Sequence, residues 1–354
     1  MSDLGFFDNK CILITGHTGF KGTWLSKILT TTKAKVVGYA LAPTDEQPLF
    51  NKSGVADDMI SVFGDIRDFD RLLSVFNEHK PDIVIHLAAQ PIVIESYNNP
   101  RYTYETNVMG TVNVLECIRQ TGCVKSFVNV TTDKVYENKE WEWGYRENER
   151  LCGYDPYSNS KSCSELVTKS YVDSFFFDGR TAVSTARAGN VIGGGDFAAK
   201  RIIPDCVRSA LKREQITVRN PLSVRPYQHV LEPLFAYLLI ARKQYGDIAL
   251  AGNYNVGPDE KDCITTGTLA DIFCKEWGDG QTWKCVSEQD AVHEANFLKL
   301  DCSHIKKILS WHPVWDVEKA VKMTVEFTKD GLYGKSADET MKRQITEYIK
   351  SQEG

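Results

Sequence analysis

Features that mark secreted, membrane-spanning or metal-binding proteins are missing from this chain of 354 residues. No segment approaches the roughly 18 uninterrupted apolar residues of a membrane helix, and the N-terminus lacks the basic and apolar stretches of a secretory signal. The ten cysteines form no Cys-x-x-Cys pair, and the seven histidines show no metal-ligand spacing. Several cysteines lie in apolar or periodic runs, typical of a reducing compartment: Cys11, Cys117, Cys206 and Cys274. We therefore predict a cytoplasmic protein without a metal site.

A strong excess of charge is also missing. The net charge is −5, which leaves no basic patch of the size that nucleic acid or an anionic membrane requires. The apolar fraction of 42% and the charged fraction of 25% are ordinary for a globular protein. The length indicates two domains, or one large α/β domain with an appendage.

A glycine-rich turn follows the first apolar run. Residues 11–16 have the composition of a strand, and they lead into Gly16-His-Thr-Gly19-Phe-Lys-Gly22 and then a helical pattern over 23–32. A strand, a glycine turn and a helix are the setting of a dinucleotide loop, where the backbone approaches a pyrophosphate at a helix start. Similar turns are also built only for tight packing, so the motif needs support from elsewhere.

Strands and helices continue to alternate along the first half of the chain. The patterns predict strands at 35–41, 59–63, 82–87, 124–130 and 182–186, and helices at 67–78, 100–121 and 155–177. Such alternation implies right-handed βαβ units around a parallel sheet. We therefore predict a doubly wound, Rossmann-like α/β fold.

Polar residues cluster where these strands end. Gly16 follows strand 1, Asp65 follows strand 3, residues 88–90 follow strand 4, and Thr131-Thr-Asp-Lys134 follows strand 5. Because ligands of parallel sheets bind beyond the carboxyl ends of the strands, these residues predict one shared site.

Tyr157 and Lys161 lie four residues apart at the start of a predicted helix. Asp155 suits the N-cap and Pro156 the first helical position, so the two side chains share one face. An ammonium group near a phenol lowers its pKa, and such a pair can exchange a proton with an alcohol. The same spacing also occurs on solvent-exposed helices without any function.

The second half of the chain has a different pattern, with longer irregular runs and an Arg-rich segment over 187–229. We predict a dinucleotide-binding domain over 1–187 and a smaller, discontinuous substrate region over 188–354, with some segments returning to the first domain. Helices are expected at 266–277, 303–309 and 317–329, followed by a polar amphipathic tail at 338–351.

Together these motifs resemble the extended short-chain dehydrogenases/reductases that act on nucleotide sugars, over nearly the whole chain. More narrowly, longer segments are similar to the CDP-glucose 4,6-dehydratases: Gly16 to Gly22, Thr132-Asp-Lys134, Trp143-Gly-Tyr-Arg-Glu147, Arg187 to Asp196 and Arg225 to Pro233. The resemblance implies an NAD-dependent lyase that makes CDP-4-keto-6-deoxyglucose for bacterial deoxysugars and lipopolysaccharide O-antigen.

The resemblance also implies a set of cofactor-binding residues: Gly16, Thr18, Gly19, Phe20, Lys21, Gly22, Asp65, Ile66, Leu87, Ala88, Ala89, Gln90, Asn107, Thr131, Tyr157 and Lys161. The residues alone leave NAD or NADP open. After strand 2 the first acid is Asp45, and no arginine stands ready for a 2′-phosphate. NAD follows from the resemblance, although Lys21 could assist NADP.

The catalytic residues implied are Thr132, Asp133, Lys134, Tyr157 and Lys161. Tyr157 takes the O4 proton while hydride leaves C4, Thr132 bonds the same oxygen, and Asp133 protonates the leaving C6 hydroxyl. Lys134 departs from the dTDP-glucose enzymes, which carry glutamate at this position as the C5 base. It acts either as a neutral amine base, or by stabilising the enolate or setting the ionisation of Asp133.

On the substrate side, the predicted residues are Asn190, Arg201, Arg219, Arg225 and His229, with Arg225 matching a phosphate-contacting arginine. The resemblance also implies a homodimer built on helices 100–121 and 155–177. Alternatives are a GDP- or dTDP-sugar dehydratase, a 4-epimerase, or a dinucleotide-sensing protein without turnover. The Asp133-Lys134 pair favours dehydration over epimerisation.

Overall fold

The computed structural model describes residues 3–46, 48–286 and 297–353. Its strands are β1 Cys11–Thr15, β2 Lys35–Ala40, β3 Ile60–Phe63, β4 Ile83–His86, β5 Ser126–Val130, β6 Ala182–Ala188, β7 Val191–Ile192, β8 Ile216–Val218, β9 Val224–Pro226, β10 Gln228–His229, β11 Asn253–Val256, β12 Cys263–Thr265 and β13 Trp283–Cys285. The main sheet has the order β3-β2-β1-β4-β5-β6-β11, and every pairing in it is parallel. The predicted doubly wound sheet is confirmed.

The helices are α1 Phe20–Leu29, α2 Leu49–Lys52, α3 Phe69–His79, α4 Val93–Asn98, α5 Pro100–Tyr104, α6 Gly110–Thr121, α7 Pro156–Phe175, α8 Ile202–Leu211, α9 Leu231–Gly246, α10 Thr266–Trp277, α11 Ser303–Leu309, α12 Val317–Leu332 and α13 Ala337–Ser351. Short 3-10 turns include Asp133–Val135, directly after β5. The predicted polar tail is helix α13, which begins with a reciprocal capping box between Ser336 and Glu339.

Two apolar cores cover the two faces of the sheet, because successive side chains of a strand point to opposite sides. Along β1, Ile12 and Ile14 belong to the core shared with α1 and α9, whereas Leu13 belongs to the core shared with α3 and α6. A third core joins α8, α10 and α12 in the second half of the chain. The sheet is therefore the middle layer, with helices packed against both of its faces.

The predicted helix over 100–121 is interrupted. A π-helical turn, Glu105–Met109, separates α5 from α6. Such turns often occur at functional sites, because the extra residue re-aims side chains. Here the turn carries Asn107, one of the predicted cofactor residues.

The second half of the chain returns to the main sheet. β11 pairs with β6, and α9 packs beneath β5 and β6, while β7 with β10, β8 with β13 and β9 with β12 form two-stranded pairs. Helices α8 and α9 were not predicted from sequence. α9 is buried on nearly all sides, so it lacks the alternation of apolar and polar faces that marks a surface helix. The domain boundary at 187/188 stays a prediction.

Candidate active site

The glycine loop between β1 and α1 is built for close backbone approach. Gly16 has a φ of +77°, and a Cβ atom there would stand 2.7 Å from the amide nitrogen of Ala88. A Cβ at Gly22 would stand 2.1 Å from the carbonyl oxygen of Gly16. Gly19 is the N-cap of α1, and no side chain in the described part of the protein caps that helix start. The loop therefore presents uncapped N–H groups, which suit a phosphate.

The other predicted cofactor residues line the carboxyl edge of the sheet. Asp65 and Ile66 follow β3, Leu87 to Gln90 follow β4, and Thr131 follows β5. The carboxylate of Asp65 accepts hydrogen bonds from the guanidinium of Arg67 at 2.7 and 3.1 Å, which lower its pKa. Thr18 Oγ1 donates to the carbonyl of Leu41 at 2.9 Å, which places the start of the glycine loop against the end of β2.

Asn107 forms hydrogen bonds with the backbone of the loop that follows β4. Its Oδ1 accepts from Gln90 N at 2.8 Å, while its Nδ2 donates to Gln90 O at 3.1 Å and to Ser160 Oγ at 2.9 Å. The side chain is buried and its amide is used on both ends. Asn107 thus ties the β4 loop to helix α7, and its contribution to the site is to hold that loop in place.

Thr132 and Asp133 lie side by side at the end of β5, as predicted. Thr132 Oγ1 donates to Asp133 Oδ1 at 2.9 Å, and the Tyr157 phenol lies within hydrogen-bonding reach of Thr132. Asp133 is 1% exposed, and its Oδ2 has no partner among the described residues. Burial raises the pKa of Asp133, against the opposing charges of Lys134, Arg225 and Lys21. A carboxyl group in this setting is suited to donate a proton.

Helix α7 positions Tyr157 and Lys161 from the predicted start. Asp155 caps it, accepting from Ser158 N at 2.9 Å, with Pro156 in the first turn. The ammonium of Lys161 donates to the carbonyl of Val130 at 3.2 Å. Burial lowers the pKa of Lys161 to about 8, and Glu165 partly opposes this.

Burial raises the pKa of Tyr157 to about 12, and Thr132 and Arg201 partly counter this rise. The ammonium of Lys161 is directed to the Val130 carbonyl. The lowering of the Tyr157 pKa by Lys161 stays a prediction. A phenol in this state is a proton donor, so it acts as a base only when a further positive charge enters the site.

A buried network below the catalytic turn was missed from sequence. Thr131 Oγ1 donates to Glu165 Oε1 at 2.5 Å, and Arg187 holds both oxygens of Glu165 at 2.9 Å. Arg187 also donates to the Tyr136 hydroxyl at 2.8 Å. A glutamate on a helix and an arginine at a strand end are usually exposed to solvent, so the sequence did not indicate that these two residues form a buried pair. It fixes α7 against β5 and β6.

Three of the five predicted substrate residues stay candidates for substrate contact: Asn190, Arg201 and Arg225. Arg225 is 3% exposed, and its charge opposes the rise in the pKa of Asp133. Arg201 pairs with Asp196 at 3.1 Å, and its charge opposes the rise in the pKa of Tyr157. Asn190 lies between β6 and β7, where its carbonyl accepts from Gln228 N at 3.1 Å.

Two other predicted substrate residues lie apart from this cluster. Arg219 is exposed after β8, where it lines a cavity of about 310 Å³ together with Asp205 and Arg208. His229 is fully buried with its ring between those of Trp24 and Trp315, and burial lowers its pKa to about 3. Its position is that of a core residue.

Lys21 is the second residue of α1 and is partly buried. Burial lowers the pKa of Lys21 to about 8, and the charges of Arg201 and Lys161 add to this effect. The end of β2, which distinguishes NAD from NADP in this fold, is contacted by Thr18. The assignment of Lys21 to the cofactor stays a prediction.

Neither a metal cluster nor a membrane helix is found in the described ranges. Over residues 3–46, 48–286 and 297–353, no three His, Cys, Asp or Glu side chains are grouped to hold a metal ion. None of the helices that the structure describes is both long and apolar enough to cross a membrane.

Comparison with known proteins agrees with this geometry. The family model described as GDP-mannose 4,6 dehydratase matches residues 13–324. The CDP-glucose 4,6-dehydratase of Salmonella typhimurium is 45% identical over 99% of both chains. The dTDP-glucose 4,6-dehydratase of Streptomyces antibioticus is 28% identical over 90% of this chain and 92% of its own.

Solved structures share the fold at lower identity. UDP-glucose 4-epimerase of Thermotoga maritima, solved with UDP-glucose, superposes with a TM-score of 0.77 at 22% identity, over 91% of this chain and 99% of its own. dTDP-glucose 4,6-dehydratase of Bacillus anthracis, solved with NAD, gives a TM-score of 0.76 at 22% identity, over 91% and 97%. The resemblance predicted from the motifs is confirmed, and the chain belongs to the family of nucleotide-sugar 4,6-dehydratases.

Proposed function

We propose that this protein converts CDP-D-glucose to CDP-4-dehydro-6-deoxy-D-glucose and water, with NAD as a cofactor that is regenerated in each turnover. The observation that carries the proposal is the turn Thr132-Asp133-Lys134 beside Tyr157, in which Asp133 is buried and its pKa is raised. A 4-epimerase needs only the oxidation residues Tyr157 and Thr132. The buried acid with an adjacent lysine supplies what elimination requires in addition. The 45% identity to a CDP-glucose enzyme supports the choice of nucleotide.

The residues at the glycine loop fit a dinucleotide. The uncapped start of α1 and the close backbone approach at Gly16 and Gly22 suit a pyrophosphate, and Asp65, Ile66 and the Leu87–Gln90 segment follow β3 and β4 at the same edge of the sheet. A dinucleotide held by these residues would supply the hydride acceptor for C4 of the sugar and the hydride donor for C6. Lys161, buried on the same helix as Tyr157, is one of the cations of the site.

The first task of the chain is to remove the O4 proton. Tyr157 accepts it, and Thr132 donates a hydrogen bond to the same oxygen as charge develops there. Because burial raises the pKa of Tyr157 to about 12, the phenolate must be stabilised by the complete complex. Tyr157 would gain that stabilisation from the positive charge that bound oxidised NAD would supply.

Elimination is the second task. A ketone at C4 acidifies the C5 hydrogen, and the C6 hydroxyl leaves as water when Asp133 protonates it. Lys134, partly buried next to Asp133, either takes the C5 proton or stabilises the enolate. Arg225, which is buried, is the candidate for the diphosphate, and Asn190 and Arg201 are the other candidates for substrate contact.

We also propose a cytoplasmic homodimer that serves bacterial deoxysugar synthesis for surface polysaccharides such as O-antigen. All ten cysteines are free thiols, which supports a reducing compartment. Met109, in the π-helical turn between α5 and α6, is 51% exposed, and Leu166 on α7 is 55% exposed. The proposed dimer would bury both segments. Light scattering of the purified protein measures the assembly directly.

The test of the proposed function is incubation with a panel of nucleotide sugars: CDP-, dTDP-, GDP- and UDP-glucose and GDP-mannose. A 4-keto-6-deoxy product is read from its absorbance in alkali. We expect product with CDP-glucose, without added reductant. Product only with another nucleotide would reject the CDP assignment, and C4-inverted sugar without loss of water would reject dehydration.

A further inference from the structure

Backbone hydrogen bonds inside the catalytic turn, Thr132 to Val135, are long. Val135 N donates to the carbonyl of Thr132 at 3.4 Å, and Lys134 N donates to Thr132 Oγ1 at 3.4 Å. Hydrogen bonds of this kind usually measure about 2.9 to 3.0 Å. The positions of Thr132 and Asp133 therefore depend on how the chain is held on either side of the turn.

The residue before the turn is bonded to Glu165. Thr131 is buried, and its Oγ1 donates to Glu165 Oε1 at 2.5 Å. The backbone N–H of Thr131 donates to the carbonyl of Ala186 at 2.9 Å, next to the ladder of β5 and β6. The entry to the turn is thus fixed by α7 through a side chain and by β6 through the backbone.

The residue after the turn is bonded to Arg187. The Tyr136 hydroxyl accepts from Arg187 Nη1 at 2.8 Å and donates to Asn255 Oδ1 at 2.6 Å. The guanidinium carbon of Arg187 lies 5.1 Å from the centre of the Tyr136 ring. At the same end of the turn, Ser162 Oγ donates to the carbonyl of Val135 at 2.7 Å. The exit from the turn is therefore held by β6 and α7 as well.

One ion pair joins the two anchors. Arg187 Nε and Nη2 donate to the two carboxylate oxygens of Glu165, both at 2.9 Å, and the two side chains are only 1% and 2% exposed. Arg187 Nη1 also donates to the carbonyl of Glu147 at 2.8 Å. Replacing a buried ion pair with apolar residues often costs no stability, whereas the directed hydrogen bonds of the pair fix one arrangement of the groups around it.

We propose that Glu165 and Arg187 are positioning residues of the reaction: the pair holds the catalytic turn at both ends, through Thr131 on one side and Tyr136 on the other. Because Glu165 lies on α7, which also carries Tyr157, the pair fixes the turn relative to the proton acceptor. The inference rests on the proposed function, because the oxidation and elimination steps both use side chains of this turn.

Two conservative variants release one end of the turn and leave the buried charges paired. Thr131→Val removes the hydroxyl bonded to Glu165, and Tyr136→Phe removes the hydroxyl bonded to Arg187. With saturating NAD, kcat for CDP-glucose should fall about tenfold or more in each while KM stays nearly unchanged, since small misplacements of reacting groups slow the chemical step. Tyr254→Phe is the matched control, because it removes an equally buried hydroxyl that bonds a backbone carbonyl. A lower melting temperature with unchanged kcat would make the network purely structural and overturn the proposal.

A second measurement asks whether Arg187 acts through Tyr136. Arg187→Lys keeps a positive charge beside Glu165, but an ammonium lacks the planar set of N–H groups that bonds Glu165 and Tyr136 together. Because Arg187→Lys and Tyr136→Phe break the same contact, kcat of the double variant should be no lower than that of the slower single variant. Losses that multiply would show that the two residues act independently, which contradicts the inference.

Hydrogen–deuterium exchange of the turn requires no turnover. Mass spectrometry of peptides covering residues 131–136 should show faster exchange in Tyr136→Phe than in the wild type, and unchanged exchange in Tyr254→Phe. Unchanged exchange in Tyr136→Phe overturns the anchoring of the turn. Faster exchange in a protein that transforms no nucleotide sugar would instead reject the proposed function and leave the anchoring in place.

Discussion

The unbonded carboxylate oxygen of Asp133 lies against the backbone of Gly189, so that a Cβ atom at position 189 would stand 2.8 Å from Asp133 Oδ2. The same atom would stand 2.6 Å from Pro226 Cγ. A contact under about 3 Å cannot persist, so any side chain at this position displaces the acid or the β9 segment. The absence of a side chain at residue 189 is therefore part of the geometry of the proton donor.

Gly189→Ala should slow product formation by about tenfold or more, because the acid leaves its position while the oxidation residues stay in place. Stopped-flow absorbance should show reduced nicotinamide accumulating before product appears. The control is Gly246→Ala, where a Cβ atom meets nothing within 4 Å. Unchanged turnover by Gly189→Ala would show that the acid does not depend on this contact.

Tyr157→Phe should abolish the initial oxidation, at a cost of about 100-fold or more in rate, because only the proton acceptor for O4 is lost. NAD titration and thermal unfolding should match the wild-type protein. Normal turnover, or loss of folding in place of loss of activity, contradicts the role assigned to Tyr157.

Substitutions that remove or keep the positive charge of Lys134 distinguish its two possible roles. If it removes the C5 proton as a neutral amine, Lys134→Met stops exchange of solvent deuterium into C5, and Lys134→Arg does not restore it, since a guanidinium stays protonated. If it stabilises the enolate, Lys134→Arg recovers much of the exchange rate. Mass spectrometry of the product in D₂O measures both variants. Full activity of Lys134→Met would reject both roles.

Glu232 should make stability depend on pH. It is fully buried, accepts from Trp315 N at 2.6 Å and from the Tyr348 hydroxyl at 2.7 Å, and burial raises its pKa to about 7. A carboxyl pKa raised in the folded state means that its stabilising contribution is present below the unfolded pKa and is lost as pH rises through about 7.

Glu232→Gln removes this titration and keeps the shape of the side chain. The melting temperature of the wild type should fall relative to that of the variant between about pH 4.5 and about pH 7. Differential scanning calorimetry across this range measures it. Parallel curves for the two proteins would show that Glu232 does not titrate in the folded state.

The sheet and the cluster at its edge could be predicted because local patterns carry them. Parallel strands end at one edge, so Thr132 to Lys134 and Tyr157 had to meet once the alternation was recognised. The buried pair of Glu165 and Arg187 could not be predicted, since each residue acquires its partner only through the packing of α7 on β6. Helix α9 was missed for a related reason, because its burial on nearly all sides removes the helical pattern.

Arg219 and His229 stay predicted substrate residues, although the structure places them in different surroundings. Both lie in the Arg-rich stretch, yet one is exposed after β8 and the other is buried between Trp24 and Trp315. Sequence places a residue in a segment, whereas the direction of its side chain depends on how the two-stranded pairs β8 with β13 and β7 with β10 pack.

The measurement that tests the account most directly follows one hydrogen atom. CDP-glucose carrying deuterium at C4 is converted in the presence of unlabelled NAD, and the product is analysed by NMR. The account predicts that the deuterium appears in the C6 methyl group, because hydride leaves C4 and returns to C6 within one turnover. Deuterium retained at an inverted C4 would identify an epimerase, and deuterium lost to the cofactor pool would contradict the internal redox cycle.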